Sequence, residues 1–302
     1  MVWGFYANLR FTAGNHILVR GKQVQFSRDR INVSYGLRNV FHDEYAALMI
    51  DSSLDEVIAY MTDERGEWRI KNDKKAPPPA TWYGSPDGDG SDGGACGYGS
   101  LVDVRPLQSR VGAVSPVLFK DGEGCGACYK VRCADHSICS RRAVTIIVTD
   151  ECPGGYCAFG RTHFDLSGAA FSRMAIAGQG PELRNRGEIS VLYRRTSCKY
   201  RGKNIAFHVN EGSTNYWLSL LVEFEDGDGD IGSMQIKTSS STDWNEMKHV
   251  WGASWCIIGG PLVGPFSVKL TTLTTQRTLS ARDVIPRNWS PKATYTSSLN
   301  FF

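Results

Sequence analysis

The residues with the clearest chemical potential are two carboxylates and a histidine near the middle of the chain. Asp150 follows a β-branched run, and His163 and Asp165 flank Phe164 further along. If residues 163–165 are extended, His163 and Asp165 point to one face of a strand and Phe164 points to the other. This pattern predicts a titratable pair on a surface, where a carboxylate and an imidazole can exchange protons with a ligand.

The elements that must position this site are short strands joined by turns. The run Ala143–Val148 predicts the strand that leads to Asp150, and Ser167–Ala175 predicts a short helix that Gly178 ends. The chain has 32 glycines, which favours many turns. Together these patterns indicate a mostly β barrel of about six strands. Its other predicted strands are Pro116–Phe119, Cys128–Cys133 and Ile189–Tyr193.

The last third of the chain shows a cleaner two-residue alternation of apolar and polar side chains. Its spacing is typical of a β-sandwich, and its single cysteine means that apolar burial must stabilise it. We expect Trp244 and Trp255 in its core. The predicted strands are Ile205–Val209, Trp217–Phe224, Gly232–Lys237, Phe266–Leu270 and Thr278–Ala281.

Length and composition limit the classes of protein that this chain can be. A chain of 302 residues is long for one domain and predicts two. The composition is globular, with 41% hydrophobic and 22% charged residues. A net charge of only +3 argues against nucleic acid as a partner. No run of about 18 apolar residues is present, so no membrane span is predicted.

Residues 1–75 differ from the rest and form an N-terminal extension. They predict a hairpin around Arg20–Lys22 and a helix over Ser53–Glu64, and residues 43–68 resemble a fragment of a plant transposon-derived protein. A proline-rich linker, residues 76–80, follows. The extension has no cysteine and no legible signal peptide. Our interpretation is that a misassigned first exon replaces the signal peptide.

Nine cysteines suggest an oxidising compartment. Eight fall within residues 96–198, and Cys256 stands apart. The C-x-x-C at 125–128 invites a zinc or redox interpretation, but the spacing over 133–139 is too wide for a second zinc pair and no βαβ pattern surrounds it. We therefore expect structural disulfides. Eight cysteines allow 105 connectivities, and spacing alone does not choose among them.

The acidic string Asp226–Asp230 could suggest a calcium loop. The sixth position of such a loop should be glycine and the twelfth glutamate, but the chain has Ile231 and Lys237 there. Asp and Gly are turn formers, so we predict a turn between two strands. No metal and no cofactor are expected.

A set of motifs, in order from about Ala80 to the C-terminus, resembles the β-expansins. Residues 1–75 fall outside this resemblance. The motifs are Thr81-Trp82-Tyr83-Gly84, Gly93-Gly94-Ala95-Cys96-Gly97-Tyr98, Gly124-Cys125-Gly126-Ala127-Cys128-Tyr129, Thr149-Asp150-Glu151-Cys152-Pro153-Gly154-Gly155, His163-Phe164-Asp165-Leu166-Ser167-Gly168, Cys198-Lys199-Tyr200, Phe207-His208-Val209, Asn215-Tyr216-Trp217, Asp226 to Asp230 and Trp251-Gly252-Ala253.

The resemblance implies a double-psi β-barrel over residues 81–196 and an immunoglobulin-like, carbohydrate-binding β-sandwich over residues 201–300. It implies a secreted, monomeric, allergen-like plant cell-wall protein that loosens the wall without hydrolysis and binds arabinoxylan and cellulose. It also implies a free thiol at Cys256. The disulfides that it implies are Cys96–Cys125, Cys128–Cys198 and Cys133–Cys139, which leaves Cys152–Cys157 as the fourth.

The resemblance also assigns site residues. Asp165 matches the general acid of inverting cellulases that share this barrel, but the loop that carries their base has no counterpart here, so Asp165 is a vestigial acid. Family members commonly have Arg where this chain has Cys256, which removes a cation from the sugar-facing side. The predicted groove residues are Thr81, Tyr83, Asp92, Asp150 and His163, and the predicted aromatic platform is Trp82, Tyr216 and Trp251.

Alternatives remain at several points. Asp165 could instead cap the helix that follows it, and Asp150 could be a turn residue at a strand end. The whole protein could be an endoglucanase-like hydrolase that uses Asp165, or a glycan-binding protein without loosening activity. Asn32 and Asn288 begin glycosylation sequons, which matter only if the chain is secreted.

Overall fold

The computed structural model describes residues 77–135, 137–158 and 160–301, together with the backbone of three short strands near the N-terminus. Contacts divide the chain into two units, Met1–Thr62 and Asp63–Phe302, and each is described by itself. No helix among the described residues combines the length and the apolar character needed to cross a membrane.

The N-terminal unit contains an antiparallel three-stranded sheet in the order β1-β2-β3. Val19 pairs with Lys22, so the hairpin predicted from the sequence is present. The predicted helix Ser53–Glu64 and the sequon at Asn32 lie outside the described residues. The strands are β1 Leu9–Phe11, β2 His16–Val19 and β3 Lys22–Gln25.

The larger unit begins with a closed six-stranded barrel in the order β4-β8-β5-β7-β6-β9, which confirms the predicted double-psi barrel. Two of its pairs, β4 with β8 and β5 with β7, are parallel. Fully buried Ile146, Phe164 and Leu166 are part of its core. The strands are β4 Pro79–Tyr83, β5 Val111–Val114, β6 Cys128–Cys133, β7 Val144–Glu151, β8 Phe164–Ser167 and β9 Ile189–Arg195.

The start of the barrel differs from the predicted linker. Pro79 and Ala80 are the first residues of β4, and Ala80 is fully buried. The carbonyl of Pro78 accepts a hydrogen bond from Val191 N in β9. The proline run therefore ends as the first residue of β4, a position where a missing N–H is tolerated.

Residues 116–119 were expected to be a strand and are instead a single helical turn, α1 (Pro116–Phe119). Pro116 suits the first position of a helix because it has no N–H to satisfy there, and Lys120 ends the turn with a left-handed φ of 54°. Apolar composition alone did not reveal this. The other helices are α2 Gly168–Ser172 and α3 Gly180–Asn185, and 3₁₀ turns occur at Gly99–Asp103, Lys120–Gly122 and Gly155–Cys157.

The predicted sandwich is present as a five-stranded sheet, β14-β15-β11-β10-β18, and a four-stranded sheet, β13-β12-β16-β17. Fully buried Phe207, Leu218 and Met234 lie in the core between them. The strands are β10 Ala206–Val209, β11 Trp217–Glu223, β12 Ile231–Thr238, β13 Asn245–Glu246, β14 Lys248–Trp251, β15 Ser254–Ile258, β16 Phe266–Thr272, β17 Thr278–Ile285 and β18 Thr294–Thr296.

The two tryptophans expected in the sandwich core differ in environment. Trp255 is buried in that core, as expected. Trp244 is only partly buried, and the side chains of Lys237 and Lys269 lie against its ring, so its predicted place in the core was wrong.

Four disulfides cross-link the barrel, with the pairing that the resemblance implied: Cys96–Cys125, Cys128–Cys198, Cys133–Cys139 and Cys152–Cys157. Cys128–Cys198 spans 70 residues of sequence. Closing a loop of that length stabilises the folded state by about 4 kcal/mol in the chain-entropy model. Cys256 is a free, buried thiol.

Candidate functional site

A hydrogen-bonded chain of three side chains lies where β4 runs parallel to β8. Thr81 is the register partner of Asp165, and Thr81 Oγ1 donates to Asp165 Oδ1 at 2.7 Å. His163 Nε2 lies 2.8 Å from the same hydroxyl oxygen. Phe164 is fully buried in the barrel core, so the predicted alternation of His163 and Asp165 around it is correct.

The protonation states of this chain follow from its hydrogen bonds. Because Thr81 Oγ1 donates its proton to Asp165, it accepts from His163, which therefore carries hydrogen on Nε2. Burial lowers the pKa of His163, which favours the neutral ring. Burial raises the pKa of Asp165, although the Thr81 hydrogen bond and His163 oppose that rise. The carboxyl group of Asp165 therefore holds a proton more readily than an exposed aspartate does.

Asp165 does not cap the following helix. Ser167 does so, because its Oγ accepts from Ala170 N at 3.1 Å at the start of α2. The alternative that Asp165 caps this helix is therefore wrong. The Asp165 carboxylate is left half-buried beside Thr81, whereas His163 is fully buried, so the prediction of a titratable pair on a surface was wrong for His163.

Tyr156 completes the surroundings of His163, and sequence reasoning missed it. Its ring stacks on the imidazole with a centroid distance of 5.9 Å and an interplanar angle of 17°. Tyr156 is 58% exposed and lies in the turn that the Cys152–Cys157 disulfide closes. The available signal was an aromatic residue inside a short disulfide loop next to the site.

Asp150 lies on the other side of β5 from Asp165. Ala113 of β5 pairs with Asp150 on one side and with Asp165 on the other. Two strand spacings correspond to about 10 Å between the backbones of the two carboxylates. Asp150 Oδ1 accepts from Ala95 N at 2.7 Å and Glu151 N at 2.8 Å. Asp150 is therefore part of strand β7 and anchors the Gly94–Ala95 loop.

The two remaining barrel residues predicted for the groove, Tyr83 and Asp92, lie in different environments. Tyr83 lies two positions after Thr81 on the same side of β4, and burial followed by the charge of Asp150 raises the pKa of Tyr83 well above its usual value. Asp92 is exposed, and its charge acts on Asp103. No described contact joins Asp92 to Asp165.

Trp82 lies on the opposite side of β4 from Thr81 and packs against the barrel core. Its indole N–H donates to the carbonyl of Arg184 at 3.0 Å, and the Arg184 guanidinium lies 5.8 Å from its ring centroid. Trp82 is half-buried, so only part of its ring is open to a ligand.

Trp251 of the sandwich lies directly on a loop of the barrel. A Cβ at Gly97 would lie 2.9 Å from the Trp251 ring, and Gly97 has a φ of +84°. Ala253 N donates to the carbonyl of Cys96 at 3.0 Å, which fixes the turn that carries Trp251. Asp150 anchors the same barrel loop through Ala95 N, so Asp150 and Trp251 both contact the segment 95–97.

Tyr216 lies in the turn just before β11 of the five-stranded sheet. It is 66% exposed, and Trp251 is 47% exposed. Trp251 pairs with Ser254 on β15, whereas Tyr216 O accepts from Gly259 N just beyond β15. Residues 254 and 258 are separated by about 13 Å along a strand. The two exposed rings therefore lie near opposite ends of β15.

Cys256 lies on β15 midway between these rings. It pairs with Ser219 and Lys248 and points away from the core that holds Trp255. It is nevertheless 5% exposed, because a short side chain does not rise above its neighbours. The chain thus has a small thiol on the outer face of the five-stranded sheet, beside Ser219 and Lys248.

The acidic string connects β11 and β12, as predicted, and it is largely buried against the barrel. Arg195 of β9 forms an ion pair with Asp230 at 2.8 Å and also donates to the carbonyl of Asp228. Asp228 accepts from both N and Oγ1 of Thr275, and Asp226 accepts from Tyr200 N. The Asp230 carboxylate and the Asp228 carbonyl therefore join the sandwich to Arg195 of the barrel. No cluster of His, Cys, Asp and Glu that could hold a metal ion occurs among the described residues.

Two family matches divide the chain in the same way as the fold. Residues 111–193 match the family described as Lytic transglycolase, and residues 205–286 match the Expansin C-terminal domain. The crystal structure of an expansin from Clavibacter michiganensis covers 75% of this chain and 98% of its own, with a TM-score of 0.56 and 22% identity. That similarity concerns the fold.

Two plant proteins are much more similar in sequence. Expansin-B3 of Arabidopsis thaliana is 74% identical over 232 residues, which cover 77% of this chain and 87% of the relative. Expansin-B16 of Oryza sativa subsp. japonica is 72% identical over 256 residues, which cover 84% of this chain and 94% of the relative. Because residues 76–302 are only about three quarters of the chain, the second match extends into the N-terminal extension. The chain belongs to the β-expansin family.

Proposed function

We propose that this protein loosens the plant cell wall by binding its polysaccharides along the surface that includes Asp165, Asp150, Trp251 and Tyr216. Bound there, it displaces contacts between a xylan-type matrix polysaccharide and cellulose without breaking a glycosidic bond. Membership of the β-expansins supports this assignment. A mutant of the Clavibacter michiganensis expansin is known in complex with cellohexaose, which supports a linear glucan as one ligand.

The observation that carries the proposal is the position of Trp251 on the barrel loop beside Asp150. Sugar rings have apolar C–H faces and polar edges, so a long glycan site combines flat aromatic rings with hydrogen-bonding groups. Here the rings come from the sandwich and the polar groups from the barrel. A polysaccharide that lies across both domains contacts both kinds of group at once.

We infer the lack of cleavage from the number of carboxylates available for two roles. Inversion needs an acid and a base whose carboxyl groups are about 6.5–9.5 Å apart, with space for water between them. Asp165 suits the role of acid, because burial raises its pKa. Asp150 has Oδ1 committed to two backbone N–H groups, which ties it to the Gly94–Ala95 loop. We infer that Asp165 acts as a hydrogen-bonding group in a binding groove.

The test uses heat-inactivated grass wall strips under constant load. The protein should induce creep while releasing no more reducing ends than a heat-killed sample. Trp251→Ala should weaken wall binding about tenfold and reduce creep in proportion. Val250→Ala is the matched control, since Val250 is the exposed neighbour of Trp251 on β14. Full creep with Trp251→Ala would reject the proposed surface.

Hydrolysis is the second candidate function, because Asp165 and Asp150 face each other across Ala113. If the protein is an endoglucanase-like enzyme, it should release reducing ends from xylan or glucan, and Asp165→Asn should abolish that release. Binding without creep would instead indicate a glycan-binding protein without loosening activity. Creep, reducing-end release and wall binding, measured together, therefore separate all three functions.

We also propose that the protein is secreted to the cell wall as a monomer. Four disulfides support an oxidising compartment. Asn288 is exposed in the turn after β17, which suits a glycosylated sequon. Mass spectrometry of the wall fraction should find the chain with a glycan on Asn288, and recovery only from the cytosol would contradict this placement.

A further inference from the structure

A second concave surface lies on the four-stranded sheet of the sandwich. It is an open groove of about 420 Å³, which is within the usual range for small-molecule sites. We name it the lysine–tryptophan groove. It is lined by Lys237, Trp244, Ser267, Ser280, Arg282 and Asp283, and Lys269 reaches the Trp244 ring beside it.

The alternation of side chains along β12 and β16 places the residues of this groove on the outer face of the sheet. Met234 and Ile236 of β12 and Val268 and Leu270 of β16 point into the core, so the residues between them point outward. The outward residues pair across the sheet, Lys237 with Ser267 and Lys269 with Ser280.

The groove and the surface that holds Trp251 are on opposite sides of the sandwich. Trp251 belongs to the five-stranded sheet, whereas Lys237 and Lys269 belong to the four-stranded sheet. The apolar core lies between the two sheets, so their outer faces point in opposite directions. A ligand in the groove therefore does not compete for the platform.

The charges of the groove are not balanced within it. Lys237 Nζ and Lys269 Nζ lie 5.1 and 4.5 Å from the centroid of Trp244. Within the part of the chain that the structure describes, neither ammonium group forms an ion pair. The one carboxylate of the groove, Asp283, accepts from Ser267 Oγ at 3.2 Å and lies 3.7 Å from Arg282 Nε. Two ammonium groups therefore lie at one aromatic ring without an anionic partner among the described residues.

We propose that the lysine–tryptophan groove binds acidic polysaccharide through the carboxylate of a uronic acid unit. Lys237 and Lys269 would pair with the carboxylate, and Trp244 would contact the C–H face of the sugar ring. Ser280 would reach the hydroxyl groups at the rim. The protein is then bivalent, with one face for the polysaccharide of the proposed function and the other for a second, acidic chain.

The test is affinity electrophoresis of the full-length protein in gels that contain polygalacturonate, glucuronoxylan or unsubstituted xylan. The double variant Lys237→Gln, Lys269→Gln should lose about tenfold in affinity for a uronate polymer and keep its affinity for unsubstituted xylan. Trp244→Ala, checked for folding by its thermal transition, should weaken uronate binding in the same direction. Comparing the two acidic polymers identifies which uronate is preferred.

Controls separate this site from general charge attraction and from the proposed function. Lys292→Gln removes an exposed cation that is paired with Glu211, outside the groove, and should leave uronate affinity unchanged. Trp251→Ala should weaken cellulose binding and leave uronate binding intact. Equal losses with Lys292→Gln, less than a twofold loss in the double variant, or an equal loss of dextran sulfate binding would each overturn the proposal.

Discussion

Glu225 should make the protein less stable as the pH rises from about 5 to about 8. Its side chain is 3% exposed between the barrel and the sandwich, and neither carboxyl oxygen makes a hydrogen bond of ordinary geometry with a described residue. Burial, with the charges of Asp230 and Asp228, raises the pKa of Glu225 to about 9, and the nearby Gly229 N–H offsets only part of this.

The direction of the effect follows from proton binding. In the unfolded chain Glu225 loses its proton above a pKa of about 4.5, whereas the folded protein keeps that proton up to about pH 9. The stability is therefore fully present below the unfolded pKa and falls as the pH rises towards the folded pKa. Each pH unit in this window corresponds to about 1.4 kcal/mol, so three units cost up to about 4 kcal/mol.

Glu225→Gln tests this magnitude, because glutamine has nearly the same shape and does not titrate. The variant and the parent should differ by up to about 4 kcal/mol more at pH ~8 than at pH ~5 in the free energy of unfolding from urea titrations. Any constant effect of the amide cancels in that difference. Glu223→Gln is a graded comparison, since burial raises the pKa of Glu223 to about 7 and its effect should end near that pH.

Glu182→Gln, an exposed carboxylate in α3, serves as the control and should change neither stability nor its pH dependence. If the parent and Glu225→Gln lose stability in parallel between pH ~5 and ~8, Glu225 is ionised in the folded protein. The inference that it is a buried, protonated carboxyl group would then be wrong.

Three further predictions concern the proposed binding surface. Thr81→Val removes the hydrogen bond that favours the ionised carboxylate, so the pKa of Asp165 should rise further in a ¹³C NMR titration; an unchanged value would contradict the proton assignment. Gly97→Ala combines a left-handed φ with a clash against Trp251 and should cost about 1–3 kcal/mol in urea unfolding, and full stability would show that the contact is not tight. Cys256→Arg should strengthen retention on glucuronoarabinoxylan, with Cys256→Ser as the matched control, and equal retention would show that this position does not contact the glycan.

Because side chains alternate along a strand, much of the fold was predictable, and so was the position of His163 and Asp165 on the same side of a strand. Residues 163–165 needed only an extended backbone to separate Phe164 from its two polar neighbours, and that geometry is local. The same rule located most strands of the barrel and the sandwich. Residues 116–119 were misassigned because four residues carry too little periodicity, and the proline that starts α1 decided the outcome.

Features that depend on distant parts of the chain were not predictable from spacing. The disulfide pairing came from the resemblance, since eight cysteines leave 105 choices. Trp244 was expected in the core because it is aromatic, but two lysines from separate strands hold it at the surface. Tyr156 became relevant only once the fold placed its ring on His163.

The position of Cys256 connects the sequence difference to the geometry of the platform. A cation that extends from the centre of β15 would stand between Tyr216 and Trp251, where a polysaccharide that contacts both rings must pass. With cysteine at this position the sheet face is flatter and lacks that charge, although Lys248 remains on the adjacent strand. The platform should therefore favour neutral, planar glycan surfaces, while the cations of the lysine–tryptophan groove, on the opposite sheet, remain available to an acidic chain.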